Sequence, residues 1–586
     1  MLRKSSIQAP ACLASREIAT YALALGLCLL ILTFTLRLWQ ADLRVPLAYS
    51  GDSLFTQLWI KGIFENGWYL QNDAVGAPLG SDLRDFPMTD NLHFFILKCL
   101  GLGWADTALV FNIYYLLSYP LATLTAFGVL RHLRLGVAPS LVAGLLYTFL
   151  PYHFLRGMTG HLFLAAYFLV PLAILMALWL VRTDPGEPPA RWSAGKLIVS
   201  VLICLLLAST GVYYAFFSCF LLCLAGVLAA LERRSVRPLG LALLLTSVIV
   251  LGALANLYPI LDYRRTHGVN SEAVLRLAIG TEIYGLKITQ LLLPPSYHRL
   301  HFLAVKKLAY NTEAPLGSGD YWYLGVVGLI GFFCLLLVLL ARGVRECTPG
   351  ILSTLALFNV SSILFATASG FGAVFSFLVL PELRAYERMS IFIAFFALFT
   401  VALLLDRLSA RFGAGRGGRC LSFALAGLVL SLGIWDQTSR QLVPAYDVLK
   451  AQYGSDDAFV RAIEATAPSG AMIFQLPFVP FPENPPVQRM TDYDHLRGYL
   501  HSRSLRWSYG CVKGTKGNSW QKQLANQPTQ ALVRLLAEAG FHGVYLDRFG
   551  FADGGAAIES DLKRLTCTKP LVSRDKRLVF FKLPDP

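Results

Sequence analysis

Long apolar stretches separated by short polar gaps occupy most of the chain, and a much more polar tail closes it. Runs of roughly 18 or more nearly uncharged residues suit a hydrocarbon core of about 30 Å. The pattern predicts about eleven membrane-spanning helices, over 18–38, 106–130, 137–155, 162–181, 196–212, 213–231, 238–260, 321–341, 350–367, 389–406 and 419–435. The first is read as a retained helix, because its apolar stretch exceeds a secretory h-region and no small-residue cleavage site follows. Residues 92–100 form an apolar run too short to span, which suits an interfacial or re-entrant helix. The stretch Ser209-Thr210-Gly211-Val212-Tyr213-Tyr214 is read as a turn, since one helix of about 35 residues would overrun the bilayer.

The tail alternates helix-like and strand-like patterns and reads as one small α/β domain over 436–586. Phe459 and Ile463 share a helix face ahead of the strand-like 471–476. Pro528 opens a second helix, with Leu532, Leu535 and Leu536 on one face and Gly540 as its stop. A strand over 543–546 follows, then a hairpin of 571–573 with 578–581 turned through Arg574-Asp575-Lys576. The expected architecture is an α-helical polytopic membrane protein, residues 1–435, with external loops 41–104 and 261–320, followed by an extracytoplasmic α/β domain.

Basic residues set the orientation. Arg3, Lys4 and Arg16; Arg131 and Arg134; Arg182, Arg191 and Lys196; Arg233, Arg234 and Arg237; Arg342 and Arg345; and Arg407, Arg411, Arg416 and Arg419 all fall on one side of an eleven-helix thread. Positive loops face the cytoplasm, so the N-terminus is expected inside and the tail outside, in the periplasm of a bacterial inner membrane. The formal charge of +15 is largely accounted for by these loops. No run of interleaved basic and aromatic residues forms a nucleic-acid groove, so the partners expected are the bilayer and its lipids. Most cysteines lie inside spans, and no spacing suggests zinc. Cys511 and Cys567 lie in the tail, where an oxidising compartment makes a disulfide and two separate thiols equally open alternatives.

The first external loop carries Gly51-Asp52 just beyond the first span, then Asp82, Asp85 and Asp90. A carboxylate there can remove a proton from an attacking hydroxyl or hold a divalent metal against a phosphate. The plainer reading is that Gly51-Asp52-Ser53 caps a helix starting at Leu54, and that the other acids are solvated or form Asx turns. Arg264, Arg265, Arg299 and Arg388 are unusual in external loops and could clamp a phosphate or pyrophosphate; pairing with Asp262, Glu282, Glu382 and Glu387 is the alternative. His161, after Arg156, stands at the outer mouth of the 162–181 span and is either a site residue or an interfacial hydrogen-bonder.

Gly51-Asp52, Gly76-Ala77-Pro78 and Asp85-Phe86-Pro87 together resemble the GT-C glycosyltransferase superfamily. The 209–214 turn, Leu383-Arg384 through Arg388, and Phe474-Gln475-Leu476-Pro477 resemble its YfhO-like membrane branch. The resemblance implies a polyprenyl-phosphate sugar as donor, a cell-envelope glycan, lipid or protein as acceptor, and Asp52 as base or metal ligand. Asp85 is the expected helper, and a divalent ion, Mg or Mn, held by Asp52 and Asp85 is the only cofactor implied. Ser53 stands where some branches place a Glu after the Asp. The rival expectation is a lipid-linked glycan flippase or a non-catalytic assembly protein, whose spans would carry ionisable groups at mid-depth.

Overall fold

The computed structural model describes residues 10–182, 192–273, 276–314, 319–342, 350–413 and 415–584, and is mostly helical. Arg3, Lys4, Arg191 and Arg345 of the basic loops lie outside the described residues. Every one of the eleven apolar stretches contains helix. Among the described residues, seven helices are long and apolar enough to cross a bilayer: Glu17–Leu36, Thr107–His132, Val137–Met158, Val212–Arg233, Arg237–Asn256, Tyr386–Arg411 and Arg416–Gln437. The other four stretches hold shorter helices, Val170–Val181, Ala194–Ala208, Gly325–Ala341 and Ile351–Ala366. At 1.5 Å per residue these reach about 18 to 26 Å. Local breakers account for part of the shortening. Pro171 stands at the start of Val170–Val181, and Gly211, at φ +92°, turns the chain between Ala208 and Val212.

The 92–100 run forms the helix Asn91–Gly103. Its start is pinned to the 209–214 turn, where Leu92 N donates to Ser209 O at 2.9 Å. Ahead of it, strands β1 (Gln71–Asn72) and β2 (Ser81–Asp82) pair antiparallel.

Beyond Gln437 the chain builds a five-stranded sheet from β3 (Met472–Leu476), β4 (Arg506–Trp507), β5 (Phe541–Asp547), β6 (Leu571–Val572) and β7 (Leu578–Lys582). The order is β4-β3-β5-β7-β6, with β3 parallel to both neighbours and the β6–β7 hairpin antiparallel. The helices Tyr446–Glu464 and Thr529–Glu538 bury Phe459 and Ile463, and Leu532 and Leu536, respectively.

This domain and the first loop share one sheet edge and one buried charge network. Residues 74–77 run beside β4: Trp507 N donates to Ala74 O at 2.8 Å, and Ala77 N donates to Trp507 O at 2.9 Å. Arg497 donates to Asp456 at 2.9 Å, to Asp494 at 3.0 Å and to Tyr49 O at 2.9 Å. Arg577 extends the chain, reaching Asp494 at 2.8 Å and Asp547 at 2.6 Å. Lys61 Nζ, on the Asp52–Asn66 helix, donates to Tyr499 O and Ser502 O, both at 2.5 Å, and burial pushes its pKa down to about 8.

The two tail cysteines are not bridged. Cys511 is buried, with Sγ donating to Gly76 O at 3.1 Å, whereas Cys567 is exposed just past the end of Ala556–Thr566. The candidate disulfide is therefore corrected to two thiols in different settings. An impermeant maleimide should label Cys567 without prior reduction and Cys511 only after denaturation, as read by mass spectrometry of tryptic peptides. Labelling of both only after reduction would contradict this arrangement. Arg497→Met should leave Asp456 without its cation, while Asp494 keeps only Arg577. Breaking a buried pair from one side costs about 3–5 kcal/mol, so this variant should release the tail to limited proteolysis in detergent while Arg534→Met, on an exposed surface pair, should not.

Candidate functional site at Asp52

Gly51 occupies the N-cap position at φ +54°, ψ −135°, a backbone conformation that side chains disfavour, and the helix begins at Asp52 itself. Ser53, not Asp52, closes the turn: its Oγ accepts from Ser50 N at 2.9 Å and donates to Ser50 O at 2.7 Å. The expected capping role of Asp52 is thus corrected. Its carboxylate instead meets His161, Oδ2 to Nε2 3.0 Å, and stays 42% exposed.

Gly160 makes that meeting possible. Its backbone lies against the first turn of the helix, so a Cβ there would stand 2.0 Å from Ser53 N, and its φ is +83°. Thr56 Oγ1 donates to Gly160 O at 3.0 Å and holds the approach. The next residue is His161, whose Nδ1 is 2.9 Å from Thr159 Oγ1. Burial pushes the His161 pKa down, Asp52 opposes that, and the charges of Arg156 and Arg388 add to the lowering. A neutral imidazole gives its Nε2 proton to Asp52, while the Thr159 hydroxyl beside Nδ1 donates to Leu155 O at 2.9 Å.

The two arginines bring positive charge to the same place. Arg156 lies 4.4 Å from the Tyr321 ring centre and 5.1 Å from that of Tyr152, with Glu387 Oε1 at 3.7 Å. Arg388 stands 3.9 Å over the Tyr213 ring. The Nε atom of each is buried and has no hydrogen-bond partner among the described residues. Buried donors are normally satisfied, and an unused guanidinium edge suits an anionic oxygen. Asp90 adjoins this group. Burial raises its pKa to about 7 against the pull of Arg388, and a Cβ on Gly211 would lie 2.9 Å from its Oδ1.

The other expected site residues are engaged elsewhere. Asp85 is buried and accepts from Arg264 Nε at 2.9 Å. Arg299 Nε donates to Thr438 O at 2.8 Å, and Arg265 is exposed. Among the described residues no three His, Cys, Asp or Glu side chains gather as a metal site would require. A guanidinium already neutralises Asp85, and a histidine covers one oxygen of Asp52. The expected Mg or Mn pairing of Asp52 with Asp85 therefore does not fit these residues.

Two participants lay outside the expected set. Arg156, a charge at the end of an apolar stretch, carried a usable signal, because a buried guanidinium is costly unless it is paired. Asp492 carried none, being one acid among many in a polar tail. Burial, and next the Asp52 charge, push its pKa up to about 7.

Neither a protein-family profile nor a curated protein sequence matches the chain. Solved structures do. ArnT from Cupriavidus metallidurans in the apo state superposes with a TM-score of 0.54 at 13% identity, over 95% of this chain and 98% of that one. The same protein bound to undecaprenyl phosphate gives 0.54 at 13%, over 96% and 98%. The apo oligosaccharyltransferase of Archaeoglobus fulgidus gives 0.47 at 13%, over 90% and 69%. The structural neighbours of this chain are GT-C glycosyltransferases, and the chain shares the overall fold of ArnT. They single out no branch within that superfamily.

Gly160→Ala should force the Ser53 backbone away and strain a left-handed position, at about 1–2 kcal/mol for the conformation alone. Its melting temperature in detergent should fall clearly. Gly454→Ala, in open space within a helix, should hold or raise it. Equal melting of Gly160→Ala and the parent would rule out the close approach.

Proposed function

We propose that the protein is an inverting glycosyltransferase of the bacterial inner membrane, moving a sugar from a polyprenyl-phosphate donor to a cell-envelope acceptor at the periplasmic face. The observation that carries this is the Asp52–His161 pair beside two arginines whose Nε donors are unused. The fold shared with ArnT, solved with undecaprenyl phosphate bound, supports it. Asp52 takes the proton of an acceptor hydroxyl as that oxygen attacks the anomeric carbon. The bond from that carbon to the phosphate oxygen breaks, and the lipid phosphate leaves with its charge met by Arg156 and Arg388. His161 holds Asp52 Oδ2 so that Oδ1 faces the acceptor. The tail domain, joined to the loop that carries Asp52, would cover the cleft or grip the acceptor.

General-base removal typically costs 10²–10⁴-fold. Asp52→Asn should therefore lower transfer of labelled sugar by about that factor in purified protein while leaving the melting temperature near the parent's. Asp106 serves as the control. It accepts from Leu109 N at 2.9 Å as a helix cap, and Asp106→Asn keeps the acceptor and should keep the activity. Arg388→Ala should raise the KM for the lipid donor roughly tenfold, as loss of one charged hydrogen bond predicts, with a smaller change in the acceptor KM. An active Asp52→Asn would exclude the base assignment. Movement of labelled lipid across proteoliposomes without transfer would favour the transporter instead.

A further inference from the structure

We propose that Asp492 is a second carboxylate of the Asp52 site, supplied by the tail domain, and that its neutral acid form donates a hydrogen bond to the acceptor beside the hydroxyl that Asp52 deprotonates. The inference rests on the transferase reading and adds to it a residue that binds the acceptor.

The geometry begins with the neighbour of Asp492. The Tyr493 ring stacks on Phe55, with ring centres 4.8 Å apart and planes at 20°. Phe55 lies one turn along the helix that Asp52 opens. Glu483 N donates to the Tyr493 hydroxyl at 3.1 Å, and the Tyr509 hydroxyl donates to Asp492 O at 2.6 Å, so backbone and ring are both held. The ring next to Asp492 is therefore packed on the first turn of the Asp52 helix, within reach of the Asp52 charge. Asp494, two residues on, turns the other way into Arg497 and Arg577. Asp494 has two guanidiniums, whereas Asp492 has no cation within ion-pair distance among the described residues.

The groups that bear on Asp492 are Asp52 on the membrane body and Asp494 on its own segment, both of which disfavour its charge. Tyr493 and Tyr509 complete its surroundings, and the amides of Asp492 and Tyr493 favour the charged form. His161 bonds to Asp52 rather than to Asp492. Like charges close together do not both ionise readily. With its pKa raised to about 7, Asp492 keeps its proton below neutrality and loses it as pH rises through 7. Binding that needs this proton is then present below about pH 7 and fades above it. During transfer the acceptor proton goes to Asp52, and Asp492 retains its own.

Isotope-edited infrared titration of the detergent-solubilised protein reads the pair without reference to activity. Two protonated carboxyls, Asp90 and Asp492, should titrate near pH 7. The component lost in Asp492→Asn is that of Asp492, and it should shift to lower pH in Asp52→Asn, where the facing charge is gone, while the Asp90 component stays. The absence of an Asp492-dependent component, or its persistence unchanged in Asp52→Asn, would overturn the pairing. In the transfer assay, Asp492→Ala should raise the acceptor KM about tenfold or more while the donor KM stays within twofold. Asp492→Asn, whose amide donates at every pH, should lose less than the alanine variant and lose the alkaline limb near pH 7. An unchanged limb would overturn the binding role. A band that behaves as expected in a protein without transfer activity would uphold the pair and refute the transferase.

Discussion

The relation between tail and membrane body depends on the Arg497 guanidinium. It bonds at once to a carboxylate of the Tyr446–Glu464 helix, to Asp494 and to the carbonyl of Tyr49, and it lies 4.3 Å over the Tyr49 ring. Tyr49 stands two residues before Gly51, so the same contact that anchors the tail fixes where the Asp52 helix starts. Charges sealed this deeply gain little net stability, because the cost of leaving water nearly cancels their attraction. What they impose is geometry. The bonds of Arg497 to Asp456, Asp494 and the Tyr49 carbonyl tie the tail to the first loop in the arrangement that stacks Tyr493 on Phe55.

Around this anchor the site gathers from three separate parts of the chain. The first loop supplies Asp52, the break after Met158 supplies Gly160 and His161, and the start of the Tyr386–Arg411 helix supplies Arg388. Each lies where a helix begins or stops. Such ends leave backbone groups unpaired and let side chains leave the apolar mass, so polar groups can collect there.

How far this was legible varies with the range of the interaction. The eleven apolar stretches and the tail's strands were visible because helix and strand periods are local, as with Phe459 and Ile463 or the 571–581 hairpin. The break at Gly211 falls inside the 209–214 turn read from the sequence, whereas the late start of the Val170–Val181 helix at Pro171 was not foreseen. Asp52 stood out as an acid just past the first apolar stretch, and the fold sets it against His161. The partnership of Asp85 with Arg264, 179 residues apart, was not legible, and it changes the meaning of both residues: two candidates for separate tasks neutralise each other. Asp492 was hidden for the opposite reason, being unremarkable until the fold brings it to Asp52.

The strand-like segment at 74–77 carries a consequence for how the protein is made. It completes the edge of a sheet whose other strands are synthesised some 400 residues later. The tail emerging from the ribosome thus has a template waiting at the membrane, and its β4 edge closes only on a body already inserted. Long-range pairing of this kind is slow, and an uncovered edge invites wrong partners. Cut free of the membrane body, the tail would display that edge together with the surface that Tyr49, Phe55 and Lys61 cover. The tail therefore depends on the first loop for its sheet edge, and the segment that carries Asp52 meets its partners only once the tail has been made.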